Sequence, residues 1–370
     1  MARGLGRILA FCVLTIACHG PADERPPNEP HRPKSPFPGA EPIDSVCASA
    51  DHLVVLGDGE QPAAAAFEGS SGQPALAIAV REPDGRRGVL LVDLGNDRRV
   101  LRHNIDQWRA TLGEEPPAHA AVVLSHGHPM AGLFSPSPAD RPTESGESFR
   151  EVFDALGPMA VAAPNLDFFC RQHGARLDGE TRKICGERGR TLQPGLEPLL
   201  WSDGERSSRI WTLTWPVLEA EDRHLPFVPL ETLIVVSQPP GYFVLSVCSH
   251  PPVDLDPTGK TPWHAVTLVE REIAAGRLPP GPVHTVVTGL CGVAQALDTT
   301  RQKSGSEPGE QALADLWQKL WQRTGVQRLF LFHCGLFTGE LFPPLDLSLP
   351  GQVRTADPGA CIPLAPPQLR

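Results

Sequence analysis

The chain has 370 residues, with 43 Asp and Glu against 33 Lys and Arg, for a net charge of −10. Such an acidic body is repelled by polyphosphate backbones, which argues against a nucleic-acid partner and against a nuclease. The length is enough to bury a sizeable core in one large domain.

Residues 1–17 hold Arg3 and Arg7, an apolar run over 8–16 and a closing Ala17. Basic, apolar and small in that order describe a secretory signal, and the apolar run is too short to span a bilayer. Leu14-Thr15-Ile16-Ala17-Cys18 resembles the lipobox of bacterial lipoproteins. That resemblance implies a lipidated Cys18 anchoring the protein to a membrane, in the periplasm or at the cell surface. An ordinary cleaved signal with an incidental cysteine is the alternative. Loss of residues 1–17 removes Arg3 and Arg7 and moves the net charge from −10 to −12. Residues 18–43 follow as a tether, with eight prolines between 19 and 42, extended and semi-rigid. The folded domain is expected over 44–345, and a proline-rich tail over 346–370 is expected to wrap the surface.

Alternating or continuous apolar runs predict strands over 52–56, 75–81 and 88–93, the last two joined by a turn at Pro83-Asp84-Gly85. Leu101, Ile105, Trp108 and Leu112 have helical spacing. A strand over 120–124, a helix over 149–156 and a short strand over 160–163 come next. Residues 165–208 are rich in Arg, Gly and Glu and read as an irregular insertion covering a pocket. Strands resume over 209–215, 231–237 and 242–247. A helix over 263–276 leads to a strand over 285–288, and a helix over 309–324 to a strand over 328–332. This order suggests sheets with helices outside them. Of the nine cysteines, Cys170 and Cys185 flank a polar loop and form the first candidate disulfide. Cys47 and Cys361, near the two ends of the domain, form the second. Cys248, Cys291 and Cys334 are expected to remain thiols.

Five strands end in residues able to do chemistry. The strand over 120–124 runs into Ser125-His126-Gly127-His128, and two histidines one residue apart in extended chain project the same way. The others deliver Asp93, Cys248 with His250, Cys291, and His333 with Cys334. Histidine is the commonest metal ligand, and functional residues gather on loops at one edge of a sheet.

In this order the motifs Asp93-Leu94-Gly95, Ser125-His126-Gly127-His128, Cys248-Ser249-His250, Thr288-Gly289-Leu290-Cys291 and His333-Cys334 resemble the metallo-β-lactamase superfamily. The branch they resemble most is that of the dihydropterin-type ribofuranosylaminobenzene phosphate synthases. The resemblance spans roughly residues 50–340 and implies an α+β fold, a four-layer αβ/βα sandwich with a metal site where the two sheets meet. It implies a first metal site of His126, His128 and His250. Three imidazoles leave a fourth tetrahedral position for water, which zinc activates to hydroxide near neutral pH. The second site departs from the family pattern: Met130 and Ala131 stand where the family has Asp and His, and Cys291 stands for its fourth-motif His. Cys291 and His333 remain as candidate ligands, so one zinc ion is expected and the second site is impaired. The candidate catalytic residues are His333, as ligand or proton carrier, and Asp93, as a carboxylate orienting a loop or an imidazole. The implied activity is hydrolysis of a small-molecule ester, amide or phosphoester. A non-catalytic binding module that kept the fold is the rival, and a redox protein using the three thiols is a third reading. They differ in stoichiometric metal and in thiol reactivity.

Overall fold

Strand residues of this chain are apolar on both faces, which only a sheet covered on both sides tolerates. A computed structural model of the chain describes residues 51–57, 74–95, 98–112, 117–127, 147–157, 159–173, 179–217, 229–247, 264–289, 326–332, 352–356 and 358–366. Strands β1 (His52–Gly57), β2 (Ala75–Arg81) and β3 (Arg87–Leu94) are antiparallel neighbours. Parallel to β3 come β4 (His119–Val123), β5 (Ala160–Pro164) and β6 (Gly189–Leu192). The second sheet starts with β7 (Gly195–Leu200), β8 (Arg206–Pro216), β9 (Leu230–Gln238) and β10 (Gly241–Ser246), all antiparallel. It continues in parallel through β11 (Val283–Gly289), β12 (Arg328–Phe332) and β13 (Gln352–Thr355). The last strand, β14 (Cys361–Pro363), crosses back and pairs with β1. Among the described residues both sheets therefore have seven strands in mixed order.

Strand alternation divides the side chains between three cores. Leu53, Val55, Leu76, Ile78, Leu90 and Val92 face Ile234, Val236, Phe243, Leu245 and Val287 in the core between the sheets. Their sequence neighbours Val54, Leu56, Ala77 and Leu91 point outward, onto helices. Helix α1 (Arg98–Leu112) lays Leu101, Ile105 and Trp108 on this face, and α2 (Glu147–Leu156) adds Phe149 and Val152. Each such side chain contributes roughly 1.5–3 kcal/mol when fully buried. The last turn of α1 is closed from the sheet, where the Arg87 guanidinium donates to the Leu112 carbonyl. Across the molecule, helix α5 (His264–Ala274) covers the outer face of the second sheet with Val266 and Val269. Helix, sheet, sheet and helix make the four-layer αβ/βα sandwich that the motifs imply. Among the described residues no helix is long and apolar enough to cross a membrane.

Two expectations need correction. The described residues of 165–208 form regular elements: α3 (Leu166–His173), α4 (Gly179–Lys183) running into a π-turn (Ile184–Arg188), then β6, β7 and the start of β8. These elements supply one edge strand to each sheet. Their Arg and Glu residues mark partly exposed edges, and strands of four to six residues are too short to show a period. The tail over 346–370 likewise contains β13 and β14, with Cys361, Ile362 and Leu364 buried. Pro363 is the last residue of β14, an edge strand, where a missing N–H is tolerated. Cys170 and Cys185 form the expected disulfide, with Cα atoms 5.6 Å apart. Cys361 is also disulfide-bonded, while its expected partner Cys47 lies outside the described residues, as does the helix expected over 309–324.

Candidate metal centre

Strands β3 and β4 are parallel neighbours, so their C-terminal ends fall side by side. The last residue but one of β3 is Asp93, whose φ of 54° lies in the left-handed region. That conformation strains a non-glycine residue and turns the carboxylate toward the end of β4. The carboxylate accepts the Ser125 amide at Oδ1 (2.7 Å) and the Ser125 hydroxyl at Oδ2 (2.7 Å). The same hydroxyl oxygen is 2.7 Å from His126 Nδ1. Since that hydroxyl proton goes to Asp93, its oxygen accepts from His126 Nδ1–H, and the second ring nitrogen, Nε2, carries the lone pair a metal needs. All three residues are buried. Burial pushes the Asp93 carboxyl up to about 7; the two Ser125 hydrogen bonds oppose this, and the nearby Glu231 carboxylate adds to it.

The second sheet arrives at the same rim. The Thr232 amide, at the start of β9, donates to the Ser125 carbonyl at 2.7 Å. β9 is antiparallel to β10, with Leu245 opposite Ile234, so the end of β10 stands beside the start of β9. β10, β11 and β12 end in register, Ser246 beside Thr288 and Gly289 beside Phe332. The stretches leading to residues 248–250, 291 and 333 thus leave three adjacent strand ends. His128, His250, Cys291 and His333 themselves lie outside the described residues, as do Met130 and Ala131. Of the candidate ligands the described structure brings His126 to this rim, held by Asp93. Ser125 is the residue that the sequence reading quoted but gave no role. Its signal is position, directly between a strand end and the first histidine, opposite a neighbouring strand that ends in a carboxylate.

His126 fits a zinc ligand: buried, tautomer fixed, ring oriented by a carboxylate through a hydroxyl, as ligating histidines are commonly held. A second group of metal-ligating side chains, Asp84, His119 and Glu205, was not anticipated. Their ligand atoms all lie within 4.8 Å of one another, at the start of β3 and β4 and so at the opposite rim.

No known protein-family model and no curated protein sequence matches the chain. Among solved structures, it is similar to a metal-dependent hydrolase of the β-lactamase superfamily, at 15% identity and TM-score 0.47, over 85% of this chain and 99% of that one. It is similar to the metallo-β-lactamase fold protein YhfI of Bacillus subtilis, at 13% identity and TM-score 0.42, over 85% and 99%. It is also similar to Zn(2+)-bound PqqB of Methylobacterium extorquens, at 13% identity and TM-score 0.41, over 85% and 100%. The two mixed sheets packed face to face between helical layers form a four-layer αβ/βα sandwich.

Proposed function

We propose that the chain is an exported, lipid-anchored metal-dependent hydrolase that acts on an ester, amide or phosphoester of a small molecule. The observation carrying this reading is the chain of hydrogen bonds from Asp93 through Ser125 to His126, at the rim where five strand ends from both sheets converge. His126, His128 and His250 would hold one zinc ion, with Cys291 and His333 the remaining candidates for a second. A zinc ion there supplies a water that ionises near neutral pH. Asp93 and Ser125 keep the His126 proton on Nδ1, and His333 is the candidate to carry a proton for the leaving group. Export rests on residues 1–18 and on the Cys170–Cys185 disulfide, a bond that persists in oxidising compartments. The motif spacing favours the synthase-like branch as ancestor, while Met130 and Ala131 argue for a chemistry that does without that branch's full dinuclear site.

Zinc content and hydrolysis of a panel of small esters and phosphoesters test the reading. His128→Ala is expected to lower bound zinc by one ion per chain and to abolish hydrolysis. Hydrolysis that survives His128→Ala overturns the metal-dependent mechanism. Unchanged zinc together with no hydrolysis by the wild type identifies the non-catalytic binding module instead.

A further inference from the structure

Side chains facing the inter-sheet core shrink toward one side of the first sheet: Leu90 and Val92 on β3, Ala121 and Val123 on β4, Ala160 and Ala162 on β5. Alanine methyl groups cannot fill the roughly 10 Å between packed sheets. The strands that come next, β6 and β7, are the edges of their sheets. A cavity of about 370 Å³ is left there, with β5 and β6 on one side and β7 and β8 on the other. Protein interiors hold few voids larger than a water molecule. This one has the size of a small-molecule site, a class that starts at about 300 Å³.

The walls are mostly apolar. Leu192, Leu199 and Trp201 line the cavity together with Ala160 and Ala162. The Trp201 ring is held in place: His119 stacks on it at 5.8 Å and 29°, and its indole N–H donates to Glu82 at 3.3 Å. A fixed indole is a surface on which another planar ring packs well.

The mouth supplies charge. Arg190 on β6 is the neighbour of Ala162 on β5, so both face the second sheet. Arg190 lines the cavity, and its Nη2 donates to Glu197 on β7, an ion pair that bridges the two sheets. Among the described residues Arg190 makes no other hydrogen bond. Its Nε–H and Nη1–H groups are left over, and a guanidinium presents them in a fork that matches a carboxylate or sulfonate. The side chain is 39% exposed, so such a contact is partly shielded from water. Glu187 and Arg188, neighbours on the π-turn, add one charge of each sign.

We propose that this cavity binds a small organic anion with a planar aromatic body. The ring lies against Trp201 and the Ala160 and Ala162 methyl groups, and the anionic head takes the remaining donors of Arg190. The site is separate from the metal centre, since Asp93, Ser125 and His126 do not line it. A ligand that fills the space between the sheets stabilises the fold in proportion to its occupancy.

Fluorescence titration of the full chain with anilinonaphthalene sulfonate, an aromatic anion, and with phenylnaphthylamine, its uncharged counterpart, tests the site. One sulfonate per chain is expected to bind saturably and to raise the melting temperature. Ala162→Leu, which fills the cavity, is expected to weaken both probes at least tenfold. Arg190→Gln, at a partly exposed edge, is expected to weaken the sulfonate at least fivefold and the amine less than twofold. This second variant keeps the test decisive where Ala162→Leu does not fold. Glu197→Gln, which releases Arg190, is expected to tighten the sulfonate. Absence of saturable sulfonate binding, or sulfonate affinity unchanged by Arg190→Gln or by folded Ala162→Leu, overturns the proposal. Equal loss of both probes in Arg190→Gln overturns the recognition of an anion. The His126 centre stands or falls independently of these outcomes.

Discussion

The amide of Thr232 donates to the carbonyl of Ser125 across the seam between the two sheets, at 2.7 Å. The residue before the first candidate ligand is thereby fixed to the second sheet. Movement of either sheet edge is transmitted to His126 through backbone rather than through a flexible side chain.

Asp93→Asn tests whether the carboxylate sets the His126 tautomer. The new amide nitrogen donates to the Ser125 oxygen, so the serine proton turns to His126 Nδ1 and the ring proton moves to Nε2. Ligation by Nε2 is then blocked although the shape is unchanged. Zinc affinity is expected to fall by roughly 10–100-fold, the usual cost of losing a partner behind a ligand. The melting temperature of the metal-free protein should change little. Dialysis and calorimetry on the same samples separate the two effects.

His284 gives a pH dependence unconnected with metal. Its imidazole is buried, and burial, together with the nearby Arg328 cation, pushes its pKa from 6.5 down to about 4. The unfolded chain binds this proton below about pH 6.5, and the folded chain only near pH 4. The stabilising term is therefore present above 6.5 and is lost as the pH falls toward 4. His284→Gln is expected to flatten the stability profile over that window, measured by urea unfolding at half-unit steps.

The Cys170–Cys185 bridge closes a loop with a sequence separation of 15 between α3 and the π-turn. A loop of that size constrains the unfolded chain by about 3 kcal/mol. Cys170→Ala/Cys185→Ala should lower the unfolding free energy by roughly that amount, and reductant, which also opens the Cys361 disulfide, should lower the wild type further. Denaturant titration with and without dithiothreitol measures both.

Arg328 is buried on β12 and donates to Thr285 Oγ1 (3.0 Å) and to the carbonyls of Pro363 (3.0 Å) and Ala365 (2.5 Å). Arg328→Met removes the donor and leaves carbonyls at the end of β14 without it. A loss of about 1–3 kcal/mol is expected, with faster amide exchange in residues 361–366 as the local signature.

Most of the sheet framework was legible because its strands are long apolar runs: β2 was read residue for residue over 75–81, and β9, β10 and β12 within a residue or two. The edges were not. β6 and β13 have four residues each and β14 three, lengths at which pairing with a neighbour decides the conformation and local sequence carries no period. At the candidate metal centre, His126 and Asp93 were legible because they stand at strand ends. Ser125 did not, since its role depends on the lateral pairing of β3 with β4. His119, Asp84 and Glu205 are scattered over more than a hundred positions and meet only because two hairpins of different sheets come together.

The antiparallel pairing of β14 with β1 also bears on biogenesis. The first sheet waits for residues 361–363 before the outer side of β1 is satisfied, so a ribosome-bound fragment holding β1 to β6 carries an open ladder of N–H and C=O groups beside β1. Open ladders recruit other chains, and contacts between segments far apart in sequence form slowly. Truncation after residue 356 should therefore yield aggregates rather than a smaller soluble domain.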